Sequence, residues 1–219
     1  MYKKMVNNLD DFLLNIIKVS FDTLTPKKYA ALVKNFYFNG TEWSQKDIFL
    51  KNMTNLLSDT TFLISGAYME ESIISWRNNT AYLYSFEYRG TISKTSCMIG
   101  SDENIGVTHG DDLLYLFPTN RTQFNQQQLQ LSESDDQMID TMVDLWTSFA
   151  CNGTPSTKRF SDPNFWQPYR NNKEYLIIGD DLDTSLSRQD HFRDARMRFW
   201  LKQLADQLLG GYLRAAKND

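Results

Sequence analysis

The apolar positions of this chain change their period part-way along it. Up to about residue 80 the spacing is helical. Thr25-Pro26 sets a capping hydroxyl ahead of a proline at the first helical position, and PKKYAALVKNF follows. Ser44 precedes QKDIFLKNMTNLL, with Asp47 three residues on, the layout of a near capping box. After Asp59, the residues Phe62, Gly66, Met69, Ile73 and Trp76 recur at helical intervals. The period then falls to two. In AYLYSFEYRG, Tyr82, Tyr84, Phe86 and Tyr88 alternate with Leu83, Ser85 and Glu87, and Gly90 closes the run. That spacing predicts a strand over Ala81–Tyr88. Residues 91–105 read as loop.

The helical period returns with SDDQMIDTMVDLWTSFACNGTP. Ser134 and Gln137 fit a capping box, and Asp135 and Asp136 stand where the positive end of a helix dipole favours them. Met138, Met142, Leu145, Trp146 and Phe149 form the apolar stripe, so Trp146 and Phe149 are expected in the core. Asn152-Gly153 stops the helix and Pro155 follows. FWQPY is irregular, and EYLIIGDDL predicts a short strand ending in an Asp turn. A last helix runs from about Phe192 to Leu209, with Ala195, Phe199, Trp200, Leu204 and Leu208 on one face and Gly210-Gly211 beyond it. There is no internal repeat.

Many helices thus surround two or three strands that lie far apart in sequence. A strand over Ala81–Tyr88 needs partners for its ladder groups. Its nearest candidate is Tyr175–Ile178, and the separation suits a parallel sheet flanked by helices, an α/β arrangement. So few strands for so many helices implies that the rest of the sheet is absent.

Composition narrows the function classes. The 219 residues are 41% apolar and 14% aromatic, enough for a core, and the net charge of −4 with no dense Lys/Arg cluster argues against nucleic acid. No apolar stretch reaches the roughly 20 residues of a membrane span. At the N-terminus, Asn7, Asn8, Asp10 and Asp11 interrupt the apolar run that a signal peptide needs. Five Asn-x-Ser/Thr sites, at Asn39, Asn52, Asn78, Asn120 and Asn152, point to a glycosylated parent protein of the secretory route; an Asn- and Thr-rich composition also accounts for them. Cys97 and Cys151 lack CxxC spacing, which leaves either one disulfide or two free thiols.

Candidate chemistry centres on GVTHGDDLLYLF at residues 106–117. His109 reads either as a proton carrier or as a polar residue at a helix start, held by Asp111 or Asp112. A general base needs a nucleophile on one side and an orienting acid on the other. None of the ten glycines belongs to a G-x-S-x-G elbow, and no HGG-type oxyanion loop is present. Cys97 and Cys151 lack an activating setting. His191, in SRQDHFRDARMRFW, reads as a solvated histidine at a helix start.

GVTHGDDLLYLF resembles the histidine segment of the type-B carboxylesterases, the cholinesterase-like family, and above all its insect-type esterases. AYLYSFEYRG resembles that family's strand upstream of the histidine, and MVDLWTSFACNGTP its Trp-x-x-Phe-Ala helix with a Gly-x-Pro stop. WQPY, EYLIIGDDL and ARMRFW resemble its C-terminal strands and final helix. The match runs from about residue 20 to about residue 204 and keeps its order.

This resemblance implies the C-terminal part of an α/β-hydrolase fold, helix-rich with the last few strands of the sheet, with residues 1–219 forming one portion of a single domain. It implies ester hydrolysis through an acyl-enzyme, with His109 as the catalytic base, a small-molecule ester as substrate and no metal or organic cofactor. Triad members in this fold follow the order Ser, Asp/Glu, His. The family's acid lies upstream of the histidine by about the whole distance from Met1, and its serine lies further still. Asp10, Asp11, Asp22 and Glu42 stand in no acid motif, so this chain alone is expected to be inactive. Asp112 takes the place where the family keeps an acidic side chain; it reads as an N-terminal charge on a helix over Leu113–Phe117 rather than as support for the loop. The cysteines do not fall where the cholinesterases place a C-terminal disulfide. The alternative is a non-catalytic cholinesterase-like protein used for binding or adhesion.

Overall fold

The computed structural model describes residues 2–21, 23, 25–40, 42–63, 80–94, 106–117, 131–159, 162, 164–169, 174–181, 183–190 and 195–203. They divide into two compact units, one formed by residues 1–79 with 193–219, the other by residues 80–192.

The first unit is helical. It comprises α1 (Tyr2–Asn7), α2 (Leu9–Ser20), α3 (Pro26–Tyr37), α4 (Lys46–Ser58) and a helix, α6, described over 195–203. Each long helix buries one stripe: Leu9, Leu13 and Ile17 on α2, Ala30, Val33 and Tyr37 on α3, Phe49, Met53 and Leu56 on α4, with Trp200 of α6 closing the cluster. These are intervals of three and four, the signature that burying one helix face requires.

Two starts differ from the sequence reading. Thr25 does occupy the N-cap of α3, but its side chain makes no cap bond; its carbonyl accepts from the amides of Lys28 and Tyr29. Ser44 does not cap α4. A turn closed by the Gln45 amide on the Glu42 carbonyl (2.9 Å) delays the helix, so Gln45 becomes the N-cap. At Asp59 the helical geometry changes. The chain continues from α4 into a π-helical turn, Asp59–Leu63, and the Asp59 carboxylate is fully buried. It accepts the Tyr37 hydroxyl at 2.5 Å and pairs with Arg196 at 3.1 Å, while the Trp200 indole N–H donates to Tyr37 Oη at 2.7 Å. The expected helical stripe at Gly66, Met69, Ile73 and Trp76 lies outside the described residues, as do Phe192, Leu204 and Leu208.

The second unit holds a three-stranded sheet in the order β1-β2-β3: Tyr84–Tyr88, Glu174–Asp181 and Asp183–Asp190. The expected parallel pairing is present, with Tyr84 opposite Leu176 and Phe86 opposite Ile178. β1 starts later than the alternation suggests, at Tyr84, although Leu83 is already bonded to β2. The Ala81 carbonyl takes the Tyr169 amide, and the Leu83 carbonyl takes both the Leu176 amide and the Trp166 indole N–H. β3 is antiparallel to β2 and was not legible; Thr184 is its buried side chain and most of the others face solvent.

The helix α5 (Glu133–Asn152) contributes Met138, Met142 and Leu145, all fully buried against Tyr88, Leu176 and Ile178. Gly153 ends it in the left-handed conformation at φ 70°. Trp146 is partly buried and meets Tyr84 edge-on at 5.0 Å. Phe149, expected in the core, is 45% exposed. The last turn carries it beyond the buried stripe, where its ring meets Tyr82 edge-on at 5.9 Å. No helix among the described residues is long and apolar enough to cross a membrane.

One close approach fixes the register. β1 and β2 each carry an irregularity, between Phe86 and Tyr88 and between Ile178 and Asp180. There Gly179, at φ 81°, lies so near β1 that an added Cβ would fall 2.3 Å from Tyr88 Cβ and 2.8 Å from Tyr88 Cα. Gly179→Ala is expected to destabilise the unit by about 2–5 kcal/mol, the left-handed penalty together with overpacking against backbone. Gly153→Ala, at a similar φ but with nothing within 4 Å, is expected to cost only about 1–2 kcal/mol. Urea unfolding of the two variants checks this; equal losses would show that the Tyr88 contact carries no weight.

Candidate functional site

The histidine turn is shaped by two glycines and a buried acid. Gly106 and Gly110 both hold positive φ, at 96° and 80°. The Asp111 amide donates to the Thr108 carbonyl at 3.0 Å, closing a four-residue turn with His109 and Gly110 in the middle. A positive φ at the third position is the type II pattern, which favours glycine. His109 is thereby placed at the apex, and it is exposed.

Asp111 is 1% exposed. Its Oδ2 accepts from the Thr108 amide and the Ser93 hydroxyl, both at 3.0 Å, and its Oδ1 accepts from the Lys94 amide at 2.8 Å. Asp112 begins a short 3-10 turn, Asp112–Leu114, in place of the longer helix expected over Leu113–Phe117. Its carboxylate accepts the Tyr84 hydroxyl at 2.7 Å, so it ties the histidine segment to β1 as well as standing at a helix start. Of the two acids next to His109, sequence reasoning weighed both as holding the histidine and did not foresee that Asp111 would be the buried one. Nothing local in GVTHGDDLLYLF marks one aspartate off from the other.

A third carboxylate anchors this segment to the rest of the unit. The capping box of α5 uses Ser132 and Asp135, not Ser134 and Gln137. Gln137 instead faces Thr184, whose hydroxyl meets its carbonyl oxygen at 3.4 Å. Asp135 is fully buried. Its Oδ1 accepts the Tyr88 hydroxyl (3.0 Å), the Thr91 amide (3.1 Å) and the Tyr115 hydroxyl (3.3 Å). Its Oδ2 accepts the Ser132 amide and hydroxyl, both at 2.8 Å, and the Thr91 hydroxyl. Burial alone works against its charged form, but the bonds from Thr91 and Ser132 outweigh burial and hold the carboxyl below the usual carboxylate range. Tyr84, Tyr88 and Tyr115 are pushed above the ordinary phenol range, first by burial and then by these carboxylates, and stay neutral donors.

Of the other candidates, Cys151 is an exposed free thiol on the last turn of α5. Cys97 and His191 lie outside the described residues. Among the described residues no group of three or more His, Cys, Asp or Glu side chains is arranged to hold a metal ion.

Residues 2–200 match the model of the carboxylesterase family. The chain belongs to that family. Its fold class is accordingly the α/β-hydrolase, present here as a helix-rich portion with a small sheet. Esterase FE4 of Myzus persicae is similar at 25% identity over 182 residues, covering 80% of this chain and 30% of that protein. The juvenile hormone esterase of Tribolium castaneum is 35% identical over 94 residues, 40% of this chain and 15% of its own length. The bile salt-activated lipase of Rattus norvegicus is 32% identical over 97 residues, 44% of this chain and 15% of that protein. This carboxylesterase chain thus spans less than a third of the length of the curated relatives it matches.

Asp135→Asn checks the electrostatics of the anchor. Because the folded carboxyl titrates below its unfolded value, its contribution is fully present above about pH 4 and is lost as pH falls through the folded value. At pH 7 the variant is expected to lose about 2–3 kcal/mol. That deficit should shrink below pH 4, as the wild-type carboxyl also becomes protonated. A deficit independent of pH, in denaturant titrations between pH 3 and 7, would contradict the assignment.

Proposed function

We propose that this protein serves carboxylic ester hydrolysis, with His109 as the proton carrier. The carrying observation is the placement of His109, exposed at the apex of a turn set by Gly106, Gly110 and the buried Asp111. A histidine held this way can meet a nucleophile from outside its own segment. A serine Oγ attacks the ester carbonyl while His109 takes its proton; the proton then passes to the departing alkoxide, which leaves as the alcohol. In the second half His109 takes a proton from water as hydroxide attacks the acyl carbon and then gives it to the departing serine Oγ, leaving the carboxylic acid and free serine.

The 219 residues contain no G-x-S-x-G, so the serine and the acid that orients His109 are proposed to come from sequence beyond these residues, and the chain by itself to be inert. The substrate is a small-molecule ester. The names of the relatives range from juvenile hormone esterase to bile salt-activated lipase, which supports the reaction class and no narrower choice. Asn39 and Asn152 are exposed, which supports a glycosylated protein.

The test joins this chain to a carboxylesterase segment bearing the nucleophile elbow and assays p-nitrophenyl acetate turnover. His109→Ala is expected to lower the rate on the order of 10³-fold or more with the cooperative melt retained. A variant keeping a tenth of the activity would exclude His109 as the base, whereas a joined protein with no turnover at all would favour a binding or adhesion role. The unjoined chain is expected to show no covalent labelling by a fluorophosphonate; labelling of a serine that disappears in His109→Ala would overturn its inertness.

A further inference from the structure

We infer that Asp111 is the positioning residue of His109: a buried carboxylate that sets the histidine's place through the backbone of the turn. The inference rests on the reading of His109 as the proton carrier and says what holds it in register.

The geometry separates the two neighbouring acids. Asp112 is half-buried and holds one phenol, that of Tyr84. Asp111 is almost wholly buried and gathers donors from two segments. The Thr108 amide belongs to the residue just before His109, and the Lys94 amide and Ser93 hydroxyl belong to the stretch that follows β1. The same residue closes the turn with its own amide, bonded to the Thr108 carbonyl. Asp111 therefore fixes both ends of the two-residue apex His109-Gly110 and fastens them to residues 93–94. That stretch is itself held, since the Tyr115 hydroxyl donates to the Ile92 carbonyl at 3.3 Å and Thr91 is bonded to Asp135. Gly110 leaves the apex the conformational freedom of a glycine, and the Lys94 side chain lies where a Cβ would be, 2.3 Å from its ideal position to Nζ. Without a carboxylate at position 111, the Thr108 and Lys94 amides lose their common acceptor, and the turn loses the side-chain clamp that reinforces its backbone bond. A displacement of an ångström at a catalytic group is enough to cost a large factor in rate.

The test uses the full chain and does not depend on turnover. Wild type, Asp111→Ala, Asp111→Asn and Ser93→Ala are compared by NMR for amide hydrogen exchange at Lys94 and Thr108 and for the order of the His109 ring, alongside the thermal melt. Asp111→Ala is expected to raise exchange at both amides at least tenfold and to average the His109 ring signals, with the cooperative melt preserved. Asp111→Asn, which keeps an acceptor oxygen, should recover part of the ring order. If Asp111→Ala fails to fold, Ser93→Ala decides: a smaller loss of ring order at an unchanged melt supports the inference. Unchanged ring order in Asp111→Ala, or in Ser93→Ala where the former does not fold, overturns it. A rigid ring that loosens in Asp111→Ala, combined with full activity of His109→Ala in the joined enzyme, would leave the positioning in place and reject the catalytic reading alone.

Discussion

A carboxylate sealed away from water is costly unless its oxygens are met by donors. Asp135 is such a group, and the second unit is arranged around satisfying it. Tyr88 comes from the end of β1, Thr91 from the chain just beyond, Tyr115 from the end of the histidine segment, and Ser132 from the cap of α5. One acidic side chain therefore joins strand, loop, turn and helix. Gly90 stands where these approach each other: an added Cβ would fall 2.1 Å from the Tyr115 hydroxyl and 2.5 Å from Asp135 Oδ1. A side chain at position 90 and a filled Asp135 site are mutually exclusive.

From this anchor the constraint passes to His109 in two steps. Tyr115 and Thr91 hold the segments on either side of the interval between β1 and the histidine, and Asp111 then clamps the turn to residues 93–94. Asp112, through Tyr84, adds a tie to the start of the strand. The exposed histidine thus stands on a base made of buried carboxylates and neutral hydroxyls. The first unit uses the same device where Asp59 is met by Tyr37 and Arg196 inside a helical core. In both units the polar groups that specify geometry are aspartates, which a reading by hydropathy assigns to the surface.

That explains what was legible in the sequence and what was not. Period two over Tyr82–Tyr88 and the apolar run at Tyr175–Ile178 announced a parallel pair, because both strands bury large side chains. The stripe of α5 was equally clear over Met138, Met142 and Leu145, since burying a helix face leaves a mark every third or fourth residue. β3 left no such mark: it is an edge strand with Thr184 buried and Leu186 half-buried among exposed residues. The cap of α5 was read two residues late because Ser134 and Ser132 are equivalent by composition, and what distinguishes them is Asp135 being drawn inward by three residues distant in sequence. His109 is proposed from a motif, and its neighbour Asp111 was not given its buried role, because nothing local distinguishes it from Asp112. Membership of the carboxylesterase family agrees with the motif and leaves the roles of individual residues to experiment.

The central claim, that His109 carries the proton in ester hydrolysis, is tested most directly by trapping the reacting centre. A crystal structure of the chain joined to its nucleophile segment, with the serine phosphonylated, would show which side chain faces Oγ. A His109 ring nitrogen is expected within hydrogen-bond reach of that oxygen, about 2.6–3.2 Å. Another side chain in that position, with the His109 imidazole turned out to solvent, would contradict it.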